Sequence, residues 1–200
     1  MSGPRAADEE RRLLRTRMRR QRRSLAPEAR LAANRALVRN VRSLSQFRSA
    51  RAIGVYFACD GEPALDALIA EASRRGKRLY APVLSGGDMN FARLSPAVRL
   101  TTNAFGIAEP ANSPLVDPRS LDLVLAPLVA FDAHGARLGF GGGYYDRCFR
   151  FLPARRVWFK PKLVGVGYAF QEIPYIEMRT WDVPLWGAVT ENRIHRFRAC

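Results

Sequence analysis

The chain has 200 residues, a length that suits one compact domain and allows a hydrophobic core without disulfide support. Apolar residues make up 48% of it, yet no run of eighteen uninterrupted apolar residues occurs, so a membrane-spanning helix is not expected. The formal net charge of +15 indicates anionic partners, which include nucleotides, carboxylates and nucleic acids.

Three cysteines, Cys59, Cys148 and Cys200, are too far apart in sequence for a metal knuckle, and an odd number cannot pair completely. The N-terminus has no apolar segment of the kind that forms a signal peptide. Both observations favour reduced thiols and a cytoplasmic protein.

Helical and extended patterns alternate along the chain. The first helix is predicted within residues 1–25, and Pro27 suits the first turn of a second helix that runs to about residue 45. Strands are predicted at 52–57, 77–82, 89–94, 121–126, 163–168 and 187–191, helices at 63–75 and 144–152, and a surface loop at 110–118. This order favours an α/β fold, a three-layer α/β/α sandwich with a mostly parallel, Rossmann-like central sheet, built by residues 1–200 as one domain.

Most of the excess positive charge lies near the N-terminus. Residues 1–50 hold 14 basic and 4 acidic side chains, a balance of +10, against 19 and 14 in residues 51–200. One face of the first helix carries four arginines at helical spacing, which we call the arginine stripe: Arg11, Arg15, Arg19 and Arg22. Another face carries Leu14, Met18 and Leu25 and should pack on the body of the protein. Most of the stripe is expected to be a solvated basic face.

The most informative segment is 137–147, Arg-Leu-Gly-Phe-Gly-Gly-Gly-Tyr-Tyr-Asp-Arg. Glycine is costly to order, so such a run usually marks positive φ or close approach to a ligand. A buried strand is predicted before it and a short helix after it. In that arrangement backbone N–H groups converge on an anion, usually a phosphate. We call residues 139–143 the glycine loop.

Neither common phosphate-binding motif fits the glycine loop. No lysine follows the glycines as in G-x-x-x-x-G-K-[ST], and G-x-G-x-x-G would need a glycine at Tyr144 or Asp146. A glycine-rich hairpin without a ligand is the structural alternative. The flanking residues favour a phosphate site, because Arg137 and Arg147 supply positive charge and Asp146 is a carboxylate of the kind that binds Mg²⁺.

The segment from residue 122 to 147 closely resembles the 5-formyltetrahydrofolate cyclo-ligase family, whose members are also called 5,10-methenyltetrahydrofolate synthetases. Ahead of the glycines it matches at Pro127, Phe131-Asp132, Gly135 and Arg137-Leu138-Gly139. The resemblance extends over nearly the whole chain. It includes the arginine-rich first helix, Tyr-Phe-Ala-Cys-Asp-Gly-Glu at 56–62, Phe-Gly-Ile-Ala-Glu-Pro at 105–110, Trp-Asp-Val-Pro-Leu at 181–185 and Val-Thr-Glu at 189–191.

The resemblance implies an ATP-dependent enzyme that converts 5-formyltetrahydrofolate, with or without a polyglutamate tail, to 5,10-methenyltetrahydrofolate, with Mg²⁺ as cofactor. In the family, the formyl oxygen attacks the γ-phosphoryl group to give an N5-iminium phosphate, and N10 then closes the ring. This reaction requires positioning and neutralisation of phosphoryl charge more than a nucleophile. The sequence agrees, because it offers many arginines and glycines but only two histidines. A monomer is expected.

The resemblance also implies roles for individual residues. The family's ATP-binding positions align with Arg11, Arg15, Arg137, Leu138, Gly139, Phe140, Gly141, Gly142, Gly143, Tyr144 and Tyr145. Its folate-binding positions align with Phe57, Glu62, Phe140, Gly141, Gly142, Gly143 and Tyr144. Arg137 and Tyr144 are the implied catalytic residues, Asp146 and Asp182 the implied Mg²⁺ ligands, and Glu62 the implied partner of pterin nitrogens.

Ligands of open α/β sheets bind beyond the carboxyl ends of the strands. The loops after residues 57 and 126 are therefore expected to share one cleft, which brings Glu62 near the glycine loop. Structural alternatives remain for three residues: Asp146 as a helix cap, Asp182 as a turn former and Glu62 as a surface residue.

Two other functions remain open. One is a non-catalytic relative that binds folate or nucleotide. Trp186, which stands where the family usually has an acidic residue, would then mark lost metal chemistry. The other is a nucleic-acid-binding protein that uses the N-terminal arginines and binds with a steep salt dependence. Nucleic acid is not expected as a partner, because ATP and folate carboxylates already account for a basic surface.

Overall fold

The computed structural model describes residues 4–153 and 160–197. Its α-helices are α1 (Pro4–Arg23), α2 (Pro27–Ser43), α3 (Ser45–Ser49), α4 (Asp66–Arg74) and α5 (Tyr144–Phe149), with 3-10 turns at Pro118–Ser120 and Ala169–Gln171. Its strands are β1 (Ala52–Gly54), β2 (Arg78–Ser85), β3 (Asp88–Leu94), β4 (Leu100–Thr102), β5 (Ala108–Pro110), β6 (Leu115–Val116), β7 (Leu123–Pro127), β8 (Ala130–Phe131), β9 (Arg137–Leu138), β10 (Lys162–Val166), β11 (Gly187–Val189) and β12 (Ile194–Arg196).

Within these ranges, one large sheet has the strand order β12-β11-β10-β7-β1-β2-β3-β6. The inner strands β11, β10, β7, β1 and β2 run parallel, while β12, β3 and β6 pair antiparallel at the two edges. The short β1 is buried throughout and β7 nearly so, as is typical of parallel strands covered on both faces. The predicted α/β fold with a mostly parallel sheet is confirmed.

Helices α2, α3 and α4 cover one face of the sheet. Leu37 and Val41 lie one turn apart on α2 and pack there with Phe47 of α3 and Leu68 of α4. The other face is covered by α5, through Phe149, and by non-helical chain near 128–131 and 183–185. Within the described residues, three helices therefore cover one face of the sheet, whereas one helix and non-helical chain cover the other.

A smaller apolar cluster holds α1 on the body of the protein. Met18 is buried against Val129, Ala130 and Leu138, and Leu14 packs beside it. These partners belong to or adjoin the β8–β9 hairpin, which leads directly into the glycine loop. The predicted apolar face is correct for Leu14 and Met18, whereas Leu25 lies beyond the end of α1.

Most errors in the predicted elements concern short strands. The strand expected at 52–57 ends at Gly54, and the strand expected at 163–168 ends at Val166. The β4–β5 and β8–β9 hairpins and β12 were not predicted, and β6 lies inside the expected loop 110–118. Strands of two or three residues are too short to display a period-2 pattern, so tertiary pairing alone defines them.

No helix within the described ranges is both long enough and apolar enough to cross a lipid bilayer.

Candidate active site

A cleft of about 630 Å³ opens where the chain leaves β1, β7 and β9. The predicted site residues that line it are Arg11, Arg15, Phe57, Glu62, Arg137, Gly139, Phe140, Gly141, Gly142, Gly143, Tyr144, Tyr145, Asp146 and Asp182. The expectation that the loops after residues 57 and 126 share one cleft is therefore confirmed.

Leu138 is the predicted site residue that does not line this cleft. Its side chain is fully buried in the cluster that holds α1. Its carbonyl accepts a hydrogen bond from the Val129 N–H at 2.7 Å. Leu138 thus fixes the start of the glycine loop from within the core.

The arginine stripe faces the protein rather than the solvent, so the expectation of a solvated basic face is wrong. Arg22 is completely buried, and the Arg11 side chain is only 14% exposed. Helical spacing spreads the four guanidinium groups over about 16 Å of helix axis. Their contacts follow one another along the cleft: Arg11 meets Asp182, Arg15 meets the glycine loop, and Arg19 and Arg22 meet Asp60.

Two ion pairs lie at one end of the cleft. Arg11 contacts Asp182 at 3.2 Å and donates to the Glu177 carbonyl at 2.8 Å. Arg137 is buried and donates to Asp146 Oδ1 at 2.7 Å, and the same oxygen accepts from the Val183 N–H at 3.1 Å. Burial lowers the pKa of Arg137, although a guanidinium stays protonated at any physiological pH. The Nε atoms of both arginines are buried and have no hydrogen-bond partner within residues 4–153 and 160–197.

The glycine loop lines the cleft between these ion pairs and the residues Phe57 and Glu62. Gly141 has φ +112° and Gly143 has φ +64°, conformations that side-chain-bearing residues rarely adopt. A Cβ on Gly142 would stand 2.7 Å from the Tyr144 ring, so that ring needs glycine beside it. Arg15 Nε donates to the Gly139 carbonyl at 2.9 Å and ties the loop to α1.

Arg147 does not supply charge to the cleft, contrary to its predicted role. It donates to the Gly142 carbonyl at 2.8 Å and to the Gly87 carbonyl at 2.7 Å. Its guanidinium also lies over the Tyr144 ring, 5.1 Å from the centroid. Arg147 therefore supports the glycine loop from outside and links it to the turn between β2 and β3.

Glu62 is buried at the other end of the cleft. Its Oε2 accepts from the Cys59 N–H at 3.1 Å, while its Oε1 accepts no hydrogen bond from the described residues and lies 3.7 Å from Arg22 Nη1. Burial raises the pKa of Glu62 to about 7, against the smaller opposing effects of the Cys59 N–H and Arg22. An unsatisfied, buried carboxylate oxygen is costly unless a ligand completes it. The alternative of a surface glutamate in a turn is wrong.

The family model of the 5-formyltetrahydrofolate cyclo-ligase family matches residues 7–191. The 5-formyltetrahydrofolate cyclo-ligase of Escherichia coli K12 is 34% identical over 188 residues, which cover 88% of this chain and 98% of the relative. The Haemophilus influenzae cyclo-ligase is 36% identical over 189 residues, which cover 89% and 96% of the two chains.

The chain belongs to the 5-formyltetrahydrofolate cyclo-ligase family. The NMR structure of Aquifex aeolicus 5,10-methenyltetrahydrofolate synthetase superposes with a TM-score of 0.82 at 35% identity and covers 95% of this chain and 94% of that one. A Mycoplasma pneumoniae 5,10-methenyltetrahydrofolate synthetase shares the fold at 21% identity, with a TM-score of 0.72 and coverage of 90% and 98%. The predicted family and the predicted class of ATP-dependent cyclo-ligase are confirmed.

Trp186 stands where the family usually has an acidic residue, and it packs against the core of this cyclo-ligase. Its side chain packs against the core cluster under α2, α3 and α4, and Lys162 Nζ lies 5.7 Å from its ring. It is absent from the described lining of the cleft. Trp186 therefore lies apart from the cleft that Asp146 and Asp182 line, and its interpretation as a mark of lost metal chemistry stays a prediction.

The cleft residues of the cyclo-ligase that were not assigned roles from sequence include two exposed aromatic residues and one ion pair. Phe105 and Trp181 line the cleft with more than 60% of their surface exposed, and the Phe105 ring meets Tyr144 edge-on at 6.1 Å. Asp60 and Arg19 line it as an ion pair at 2.7 Å. Phe105, Asp60 and Trp181 lie in segments that carry the family resemblance, which was the available signal.

Proposed function

We propose that this cyclo-ligase converts 5-formyltetrahydrofolate to 5,10-methenyltetrahydrofolate, with ATP cleaved to ADP and phosphate. The observation that carries the proposal is one cleft with two different ends. Guanidinium and carboxylate groups line one end, and the other end holds the buried Glu62, whose Oε1 accepts no hydrogen bond from the described residues. The glycine loop lies between the two ends. Such a cleft suits two different substrates whose reacting groups must meet.

We infer the order of the binding sites along the cleft from the contacts of α1. ATP is assigned to the end with Arg11, Arg15 and Arg137, where guanidinium groups and the glycine loop can hold phosphoryl oxygens. The folate is assigned to the end with Phe57 and Glu62. The anionic form of Glu62 would accept hydrogen bonds from pterin N–H groups through Oε1, which accepts none from the described residues.

The reaction then needs two bond exchanges. The formyl oxygen displaces ADP from the γ-phosphorus and yields an N5-iminium phosphate. N10 attacks the formyl carbon, the ring closes, the carbon–oxygen bond breaks with release of phosphate, and the N10 proton passes to solvent. The protein contributes alignment of the formyl oxygen with the phosphorus and stabilisation of the transferred group's charge.

Arg137 and Tyr144 are proposed to act at the reacting atoms. Arg137 is a buried cation whose Nε has no hydrogen-bond partner among the described residues, which supports a role in binding the transferred phosphoryl group. Tyr144 begins α5, where its ring packs between Phe105 and Arg147 and forms a wall of the cleft beside the glycine loop. We assign it to positioning the formyl-bearing part of the folate.

The donor set at the ATP end fits Mg²⁺. Asp146 and Asp182 offer carboxylate oxygens in one cleft, and Mg²⁺ commonly uses one or two carboxylates together with substrate phosphates and water. Among the described residues, no group of three or more His, Cys, Asp and Glu side chains is arranged to hold a metal ion by itself. When bound, Mg²⁺ would neutralise charge on the β- and γ-phosphates.

The direct test follows the absorbance of methenyltetrahydrofolate formed from 5-formyltetrahydrofolate by the purified chain, with ATP, with and without Mg²⁺. The proposal predicts product that depends on both ATP and Mg²⁺. Binding of both substrates without product would instead identify a non-catalytic relative.

Arg15→Ala should raise the KM for ATP about tenfold or more, because a hydrogen bond from a charged group is worth about 1.5 kcal/mol or more. Arg12→Ala is the matched control, since Arg12 is exposed on the same helix and pairs with Glu9. Steady-state kinetics at saturating folate measures both. Equal ATP KM values in the two variants would remove Arg15 from the nucleotide site.

We further propose a cytoplasmic monomer that does not bind nucleic acid. Cys59 and Cys148 are free thiols, as in a reducing compartment, while Cys200 lies outside the described residues. The arginine stripe is engaged within the cleft, so the exposed basic surface of α1 is confined to its other faces.

A further inference from the structure

Arg22 is a fully buried arginine that does not line the cleft and has no part in the reaction as described so far. Its Nε donates to the Asp60 carbonyl and its Nη2 to Asp60 Oδ2, both at 2.8 Å. Its Nη1 donates to the Leu128 carbonyl at 3.3 Å and lies 3.7 Å from Glu62 Oε1. Its guanidinium also lies over the Phe140 ring, 5.5 Å from the centroid.

These contacts place Arg22 directly behind the glutamate assigned to the folate. They join α1, the loop after β1, the end of β7 and the glycine loop through one planar cation. A guanidinium suits this position because its five N–H donors are rigidly arranged and its charge is permanent.

We propose that Arg22 is a positioning residue that keeps the Glu62 carboxylate oriented and anionic for the folate. The inference rests on the proposed function, because it assumes that Glu62 binds the pterin. It adds a residue behind the cleft that determines whether Glu62 can accept hydrogen bonds.

The charges around Glu62 support a specific role for Arg22. The ionisable groups facing Glu62 are Arg22 from α1, Cys59 and Asp60 from its own loop, Tyr56 after β1, Tyr145 from α5 and Tyr168 after β10. Burial raises the pKa of Cys59 and of the three tyrosines, so all four are neutral near pH 7. Arg22 and Asp60 remain as the charged neighbours.

The negative charge of Asp60 would cancel the effect of the Arg22 charge on Glu62 if Asp60 had no other cationic partner. It is also bound by Arg19 at 2.7 Å and by Arg23, and these arginine contacts lower the pKa of Asp60 to about 2, although desolvation opposes them. Three cations thus share one carboxylate. Positive charge on Arg22 therefore remains available to Glu62.

The test is the pH dependence of kcat/KM for 5-formyltetrahydrofolate, which reports ionisations of the free enzyme. Wild-type kcat/KM should fall as the pH drops through about 7, since the anionic form of Glu62 is required. We call this decrease the acidic limb of the pH profile. In Arg22→Gln this acidic limb should move up by at least about one pH unit, because an opposite charge at this distance shifts a carboxyl pKa by about 1–3 units. The loss should be about fivefold or more at pH 7 and should diminish at high pH.

Two further variants separate the possible outcomes. Arg22→Lys keeps the charge and should hold the limb within about half a pH unit of wild type. Glu62→Gln should raise the folate KM and abolish the limb. A uniform loss at every pH in Arg22→Gln would show a merely structural role and overturn the inference. An unchanged folate KM in Glu62→Gln would instead overturn the folate assignment within the proposed function.

A measurement on the wild-type chain covers the case in which Arg22→Gln does not fold. The side-chain ¹⁵Nε resonance of Arg22 should titrate with a midpoint near that of Glu62. In Glu62→Gln this titration should disappear. A resonance that does not respond to pH in the wild type would overturn the inference.

Discussion

Replacing Arg137 with alanine should lower kcat about 100- to 1000-fold while the chain stays folded. The loss is of the size seen when a preorganised donor to a developing charge is removed. The fold should tolerate the change because Asp146 keeps the Val183 N–H as a partner and its side chain is 20% exposed. Single-turnover kinetics with Mg·ATP and 5-formyltetrahydrofolate, with a melting curve beside it, measures both effects.

Arg119→Ala is the control for this change, since Arg119 is an exposed arginine paired with Asp117 outside the cleft. Asp146→Ala should also reduce turnover sharply. Arg137 and Asp146 contact each other at 2.7 Å, so the double variant should lose much less than the product of the two single losses. Near-wild-type kcat in both single variants would refute their assigned roles.

Replacing Gly141 with alanine should raise the KM for ATP at least about tenfold. At φ +112° an alanine is strained by about 1–3 kcal/mol, so the backbone must move to relieve it. The nearest atom to an added Cβ would be Arg15 Cζ at 3.6 Å, an ordinary contact. Distortion of the loop, rather than a clash, is therefore the expected cause, and ATP titration measures it.

Gly76→Ala provides a matched backbone control. Gly76 has φ +71° after α4, and nothing lies within 4 Å of the position of its Cβ. The substitution should cost about 1 kcal/mol of unfolding free energy and leave the KM for ATP unchanged. If both variants bind ATP as the wild type does, the glycine loop does not need its conformation for the nucleotide.

The main features of the site could be predicted from the sequence, because the residue types of the site and the order of helices and strands along the chain can be read from it. The apolar segment at 121–126 predicted the central strand, and the glycines of the loop predicted a backbone with positive φ. The rule that ligands bind beyond the carboxyl ends of parallel strands then placed Glu62 and the glycine loop in one cleft.

Other features depended on tertiary contacts that no local pattern encodes. The spacing of the arginine stripe fixed a common helix face, but only docking of Met18 and Leu14 on the β8–β9 hairpin turned that face inward. The same limit applies to Arg147, whose direction is set by the Gly87 carbonyl, sixty residues away in the chain. The two-residue strands β8 and β9 likewise exist only as a pair.

The two ion pairs at the end of the cleft proposed for ATP mean that this end carries its own counterions. Arg11 is matched by Asp182 and Arg137 by Asp146. A magnesium nucleotide brings both an anion for the guanidinium groups and a cation for the carboxylates, so its arrival exchanges partners instead of adding charge. ATP alone would pair with the guanidinium groups and leave the carboxylates without a cation, and Mg²⁺ alone would bind the carboxylates and leave the guanidinium groups without an anion. Calorimetry should therefore find that ATP and Mg²⁺ each bind weakly alone and much more tightly together.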